Sequence, residues 1–245
     1  MHGSQPNKRA LSFVALLSLL MWGFELRGVH GSSTETLIGI RGRDFVVIGT
    51  DGVFARSLVM MQQQQKKFFP IGCNQHKAIA VCGEAADCFE LVQGLDREVK
   101  LLELSVGPDS GFGSPYSAST RAVAMLARQH LLKKRLKVNA LVAGVDRSST
   151  TPRPRLAWLD QYGALQEMRT CAHGPSASLL LSALDEGAKG DISEDDAIEL
   201  AHACFDQLRG RFLVNTPSHQ VFVIDASGIR SVPRAAQKAA ETPNA

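Results

Sequence analysis

Two amphipathic segments follow one another directly near the middle of this 245-residue chain, and two more follow one another near its end. Strand-like runs precede, separate and follow them. In the first segment Phe89, Val92, Leu95, Val99 and Leu102 recur at three and four, the period of a helix with one apolar face. A stretch rich in Gly, Ser and Pro at 107–115 closes it, and a second helix over 117–134 carries Ala118, Ala122, Met125, Leu126 and Leu132 on one side. The later pair covers 177–186 and a helix opening at Ser193, with Asp196 three residues on in a capping-box arrangement and Ile198, Ala201, Phe205, Leu208 and Phe212 on its apolar face. Helices that come in consecutive pairs exclude a βαβ alternation. They fit two antiparallel sheets packed face to face, with a helix pair over each outer side, so the expected fold is α+β, a four-layer αββα sandwich.

The strand-like runs agree with this order. Residues 36–40 and 44–49 flank an Arg41-Gly42-Arg43 turn; Leu37, Gly39 and Arg41 alternate with Ile38 and Ile40, and Phe45-Val46-Val47-Ile48 is apolar and largely β-branched. Further strands are expected at 58–61, 67–71 and 78–82, the last ended by Gly83. After the first helix pair come 138–145, with Asp146 opening a polar turn, then 155–160 and 164–168, which the short Tyr162-Gly163 turn joins as a hairpin. A last strand at 220–225 turns at Ser227-Gly228, and the tail from Ala235 has the composition of a disordered segment. The expected layout is an N-terminal extension over 1–33, one domain over 34–233 and a tail over 234–245.

Composition narrows the function classes. A content of 44% hydrophobic and 21% charged residues is that of a globular protein, and a formal charge of +3 is small for the length. Lys133, Lys134, Arg135 and Lys137 read as a solvated helix end, which argues against nucleic acid as a partner. Cys73, Cys82, Cys88, Cys171 and Cys204 are odd in number and have no CxxC or zinc spacing, so they read as small buried hydrophobes in a reducing compartment, with no metal. The first thirty or so residues disagree. Lys8 and Arg9 precede an apolar run over 10–24, and Val29-His30-Gly31 resembles a small-residue cleavage site, the layout of a secretory signal peptide. The run is short for a bilayer span. A dispensable extension, a pro-segment or an unused upstream start are the alternatives.

Five motifs carry a resemblance: TLIGIRGRDFVVIGTD, the lysine of QKKFF, AVCGEAAD, VNALVAGVD and AHGPSASLLLSALD. Together and in this order they resemble the β-type subunits of the proteasome core particle, most of all the beta type-2 subfamily at the fourth β position. The resemblance implies an N-terminal-nucleophile hydrolase fold, in which active members free a threonine by cutting the bond before it. The freed α-amine acts as base, and a lysine held by an aspartate lowers the pKa of the hydroxyl. Asp51 and Lys67 match that acid and lysine. As an isolated pair they would be an ordinary strand-end acid and a solvated lysine. Counting back from Asp51, the nucleophile position falls on Glu35. Thr34 is adjacent, but a one-residue slip on a strand turns a side chain to the opposite face, and Ser33 stands where active members carry glycine.

The surrounding residues also depart from the active pattern. Asp206 is one position away from the family's late aspartate, a rotation of about 100° on a helix. His173-Gly174-Pro175-Ser176 replaces a G-S-G-S type turn. The resemblance therefore implies a non-catalytic, structural β subunit without cofactor or metal, in which Asp51 and Lys67 are relics of the site. Implied partners are the other α and β subunits of a stacked heptameric-ring complex and, indirectly, its regulatory particle, in cytoplasm and nucleus, with no membrane and no nucleic acid. Such an assembly has no use for a secretory signal, which reverses the reading of the first thirty residues. Two alternatives remain: an active threonine peptidase self-processed before Thr34, and a secreted or membrane-linked binding protein supported only by residues 10–24. His173 is expected at a helix start, His76, His130, His202 and His219 as surface or core residues, and Trp158 and Tyr162 in packing.

Overall fold

The apolar runs of the sequence become strands buried on both faces. The computed structural model describes residues 35–56, 59–63, 65–73, 75–105, 117–147, 151–211 and 218–234. The signal-like run, Thr34, the 107–115 loop, Leu58, Phe212 and the tail from Ala235 lie outside the described residues. The chain begins with β1 (Leu37–Arg41), β2 (Val46–Asp51), β3 (Val53–Arg56), β4 (Val59–Gln63), β5 (Phe68–Pro70) and β6 (Lys77–Gly83). Helices α1 (Ala85–Ser105) and α2 (Thr120–Lys134) follow, then β7 (Val138–Asp146), β8 (Arg153–Leu159), β9 (Leu165–Glu167) and β10 (Thr170–His173). Helices α3 (Ala177–Gly187) and α4 (Glu194–Arg211) lead to β11 (His219–Asp225) and β12 (Gly228–Ser231).

One antiparallel sheet has the order β10-β1-β2-β11-β12 and the other β5-β6-β7-β8-β9. Period-two alternation sorts their side chains into layers. Ile38, Ile40 and Val47 point into a cluster with Leu180, Leu184, Ala201 and Phe205 of α3 and α4. Ile79, Val81, Val138, Ala140 and Val142 pack with Leu91, Leu95, Ala124 and Leu131 of α1 and α2. Leu37, Val46, Ile48, Ala78, Ala80, Leu141 and Ala143 meet between the sheets. This is the four-layer sandwich, and it explains why the central strands read as unbroken apolar runs. Two ring stacks join the sheets: Phe68 on Phe222 at 4.0 Å and Trp158 on His173 at 4.8 Å.

Several details differ from the sequence reading. Strands β3 and β4 pair with each other as a separate two-stranded sheet, with a register shift between Phe54 and Ala55, where the sequence suggests one strand at 58–61. The short strands β10 and β12 were not expected. Helix α2 begins at Thr120, because the Ser119 hydroxyl accepts from the Ala122 N–H at 3.2 Å and so caps it. Phe89, Met125 and Leu132 are exposed; the faces of α1 and α2 that meet the sheet are Leu91, Leu95 and Val99, and Val123, Ala124, Ala127 and Leu131. The small residues of α2 allow it to approach β7 and β8 closely. At the start of α4 the Ser193 hydroxyl accepts from the Asp196 N–H at 3.2 Å and donates to its carboxylate at 2.6 Å, the capping arrangement that the spacing suggests. His173 ends a strand instead of starting a helix, and its Nε2–H donates to the Ala140 carbonyl at 3.2 Å. His202 and His219 are partners, with Nδ1 and Nε2 2.8 Å apart.

Candidate functional site

The head of β1 lies beside the end of β2, and this pairing builds the site. The Asp51 N–H donates to the Thr36 carbonyl at 3.1 Å, while the Thr36 N–H donates back to Asp51 Oδ2 at 3.0 Å. Asp51 Oδ1 is thereby aimed at the opposite sheet, where Lys67 stands just ahead of β5. The Val81 N–H holds the Lys67 carbonyl at 3.0 Å and so ties it to β6. Lys67 Nζ contacts Asp51 Oδ1, donates to the Val53 carbonyl at 2.6 Å and lies 3.4 Å from Glu35 Oε1. The second Glu35 oxygen accepts from the Gly83 N–H at 2.9 Å, two residues ahead of α1. Two carboxylates and one ammonium thus share a space in which all three side chains are at most 3% exposed.

The excess acid has an electrostatic consequence. Burial pushes the Asp51 carboxyl up to about 6, Lys67 opposes the shift by charge and hydrogen bond, and Glu35 adds to it. A cavity of about 160 Å³ adjoins Glu35, Lys67 and Gly83, with Phe69, Val81 and Cys88 on its wall. Burial, followed by the negative charge of Glu35, pushes the Cys88 thiol up to about 12, so it stays protonated at neutral pH and is a poor nucleophile.

Of the positions singled out in the sequence, Glu35, Asp51 and Lys67 come together. Asp206 does not join them; it faces outward on α4 and pairs with Arg234. The Ser176 hydroxyl meets that of Thr36 at 2.8 Å in a buried contact at the head of β1. Gly174 has φ +109°, and a Cβ there would lie 2.1 Å from the Glu35 carbonyl oxygen. Only glycine lets the turn before α3 press against the head of β1. The Gly83 N–H and the Val53 carbonyl went unnoticed in the sequence, because backbone groups leave no residue signature beyond a glycine at a strand end. Among the described residues no group of three or more His, Cys, Asp or Glu side chains is placed to hold a metal.

This chain has relatives among known proteins. A family model described as Proteasome subunit matches residues 31–224. The chain belongs to the proteasome subunit family. Within it the similarity is to β-type subunits. Proteasome subunit beta type-2 of Dictyostelium discoideum is 29% identical over 203 residues, covering 81% of this chain and 97% of the relative. Probable proteasome subunit beta type-4 of Neurospora crassa is 29% identical over 195 residues, covering 80% and 93%. Proteasome subunit beta type-4 of Saccharomyces cerevisiae is 24% identical over 203 residues, covering 81% and 96%. The four-layer sandwich of this proteasome subunit is the N-terminal-nucleophile hydrolase fold. Among the described residues no helix is long and apolar enough to cross a membrane.

Proposed function

We propose that the chain is a non-catalytic, structural β subunit of the proteasome core particle, with a place in a β ring between two β neighbours and against an α ring. Its work is ring assembly and the walling of a chamber in which ubiquitinated proteins are degraded, in cytoplasm and nucleus. One observation carries this reading. The position sixteen residues before Asp51 holds the Glu35 carboxylate, buried and fastened between Lys67 Nζ at 3.4 Å and the Gly83 N–H at 2.9 Å. A carboxylate so placed neutralises the lysine that would otherwise lower the pKa of a hydroxyl, and it fills the space a substrate carbonyl would need. Asp51 and Lys67 are then kept as an ion pair that joins the two sheets, without a nucleophile to serve.

The test uses the assembled particle. Replacing Thr34→Ala is expected to leave assembly and every peptide-cleaving activity unchanged, measured with fluorogenic peptides on gel-filtered particles. The intact mass of the chain is expected to show no cut that leaves Thr34 at the start. Loss of one cleavage activity with assembly preserved, or a mature chain beginning at Thr34, identifies an active threonine peptidase instead.

A further inference from the structure

The Arg41-Gly42-Arg43 turn lies at the opposite end of β1 from Glu35, and the site at Lys67 leaves it unexplained. The Arg41 N–H donates to the Arg169 carbonyl at 2.8 Å, one step beyond the Ile40↔Thr170 pair of the β1–β10 ladder. Arg41 and Arg169 are therefore direct cross-strand neighbours. Like charges in that relation disfavour the pairing, so folding alone does not reward them. Among the described residues neither forms an ion pair.

Arg43 follows one residue after Gly42, whose N–H donates to the Phe45 carbonyl at 3.0 Å, and a Cβ at Gly42 would meet the Phe45 ring at 2.3 Å. The turn is thereby held tight, and it brings Arg43 beside the two cross-strand arginines. Together with Asp191 and Ile192 they line a cavity of about 220 Å³. Asp191 is the one carboxylate in this lining, and Arg43 Nη2 already pairs with it. Within the lining, three guanidinium groups against one carboxylate give a surplus of two positive charges around a recess open to solvent, with Asp44 beside Arg43 as the next acid.

We propose that Arg41, Arg43 and Arg169 form a binding site for an oxyanion of the phosphate class. Planar guanidinium forks match the oxygen edges of a phosphate, and a dianion balances the two surplus charges. Asp191 competes for Arg43 and holds the site in check. The same chemistry fits free phosphate and a phosphorylated side chain. The site does not depend on whether the chain is catalytic.

Isothermal titration of the full-length chain with inorganic phosphate, and separately with a phosphoserine peptide, tests this. The expected result is one saturable site, weakened about tenfold or more by Arg169→Gln or Arg43→Gln, tightened by Asp191→Asn and unchanged by Arg121→Gln on the outer face of α2. Saturation by phosphate itself marks a free anion as the ligand; saturation by the peptide alone marks a phosphorylated chain. In phosphate-free buffer Arg169→Gln is expected to unfold at the same or a higher temperature, since it relieves the like-charge pair. No saturable binding of either probe, equal affinity in the Arg169→Gln and Arg43→Gln variants, or a lowered unfolding midpoint in Arg169→Gln overturns the proposal.

Discussion

Among the described residues two lysines are buried, Lys67 just ahead of β5 and Lys77 at the start of β6, and they are answered differently. Lys67 touches one carboxylate and lies 3.4 Å from a second. Lys77 contacts the Ser117 hydroxyl and lies 4.0 Å from Glu103, with Asp146 acting on it from further away. The oxygens of Glu103 are engaged elsewhere, accepting from the Cys73 N–H at 2.7 Å and the Ala118 N–H at 3.1 Å, so that acid ties two loops together. At Lys67 there is more acid than base, and at Lys77 the base is under-answered. Burial accordingly pushes the Asp51 carboxyl up to about 6, whereas burial holds the Lys77 ammonium below its usual range. In the first arrangement two acids share one base, and each also holds a backbone N–H, that of Thr36 or of Gly83. In the second a single acid is held by two backbone N–H groups, and the base is left more distant from it.

The largest expected effect breaks the two sites apart. Lys67→Met leaves Glu35 and Asp51 buried without their counter-charge and is expected to destabilise the chain by about 3–5 kcal/mol. Lys77→Met leaves Glu103 with its two backbone donors and is expected to lose about 1–2 kcal/mol. Denaturant titration of both variants measures this, and equal losses would erase the distinction.

A smaller effect is the pH slope, which has opposite sign at the two sites. Asp51 binds its proton more tightly in the folded chain than at the ordinary aspartate value of 3.8, so its contribution to stability is fully present below that value and is lost as pH rises through about 6. Lys77 is lowered instead; its contribution is full above the ordinary lysine value of 10.5 and is lost as pH falls through its depressed folded value. Asp51→Asn is therefore expected to flatten the stability profile between about pH 4 and 6, and Lys77→Met to flatten it only on the alkaline side. Unfolding midpoints measured across pH check both. The smallest effect sharpens the account of Lys67 alone. Glu35→Gln keeps an acceptor for the Gly83 N–H and removes a negative charge, so the Asp51 midpoint is expected to fall below about 6 in a carboxyl NMR titration. An unmoved midpoint would mean that Glu35 has no part in setting it.

The sandwich is legible in the sequence because its central strands are buried on both sides, which leaves unbroken apolar runs such as Val46-Val47-Ile48 and Ala78-Ile79-Ala80-Val81. The helix pairs are legible from their period, although Phe89, Met125 and Leu132, counted on the apolar faces, are exposed. The edge strands are not legible: β12 has Ile229 as its one large apolar residue, and β10 is four residues long. At the site the side chains are legible and their partners are not. Glu35, Asp51 and Lys67 are singled out by the resemblance to β-type subunits, whereas the Gly83 N–H, the Val53 carbonyl and the Thr36–Ser176 contact depend on loops that only the fold brings near. The His202–His219 pair escapes for the same reason, since its halves lie seventeen positions apart.

Strands β2 and β7 each have a hydrogen-bonded neighbour on both sides and a packed layer on both faces. No local fraying reaches their amides. In deuterated solvent, protons at Val47 and Leu141 therefore leave only when the whole sandwich opens, and their exchange rate reads out the free energy of global unfolding. The amides of β12, at the margin of its sheet, exchange long before them.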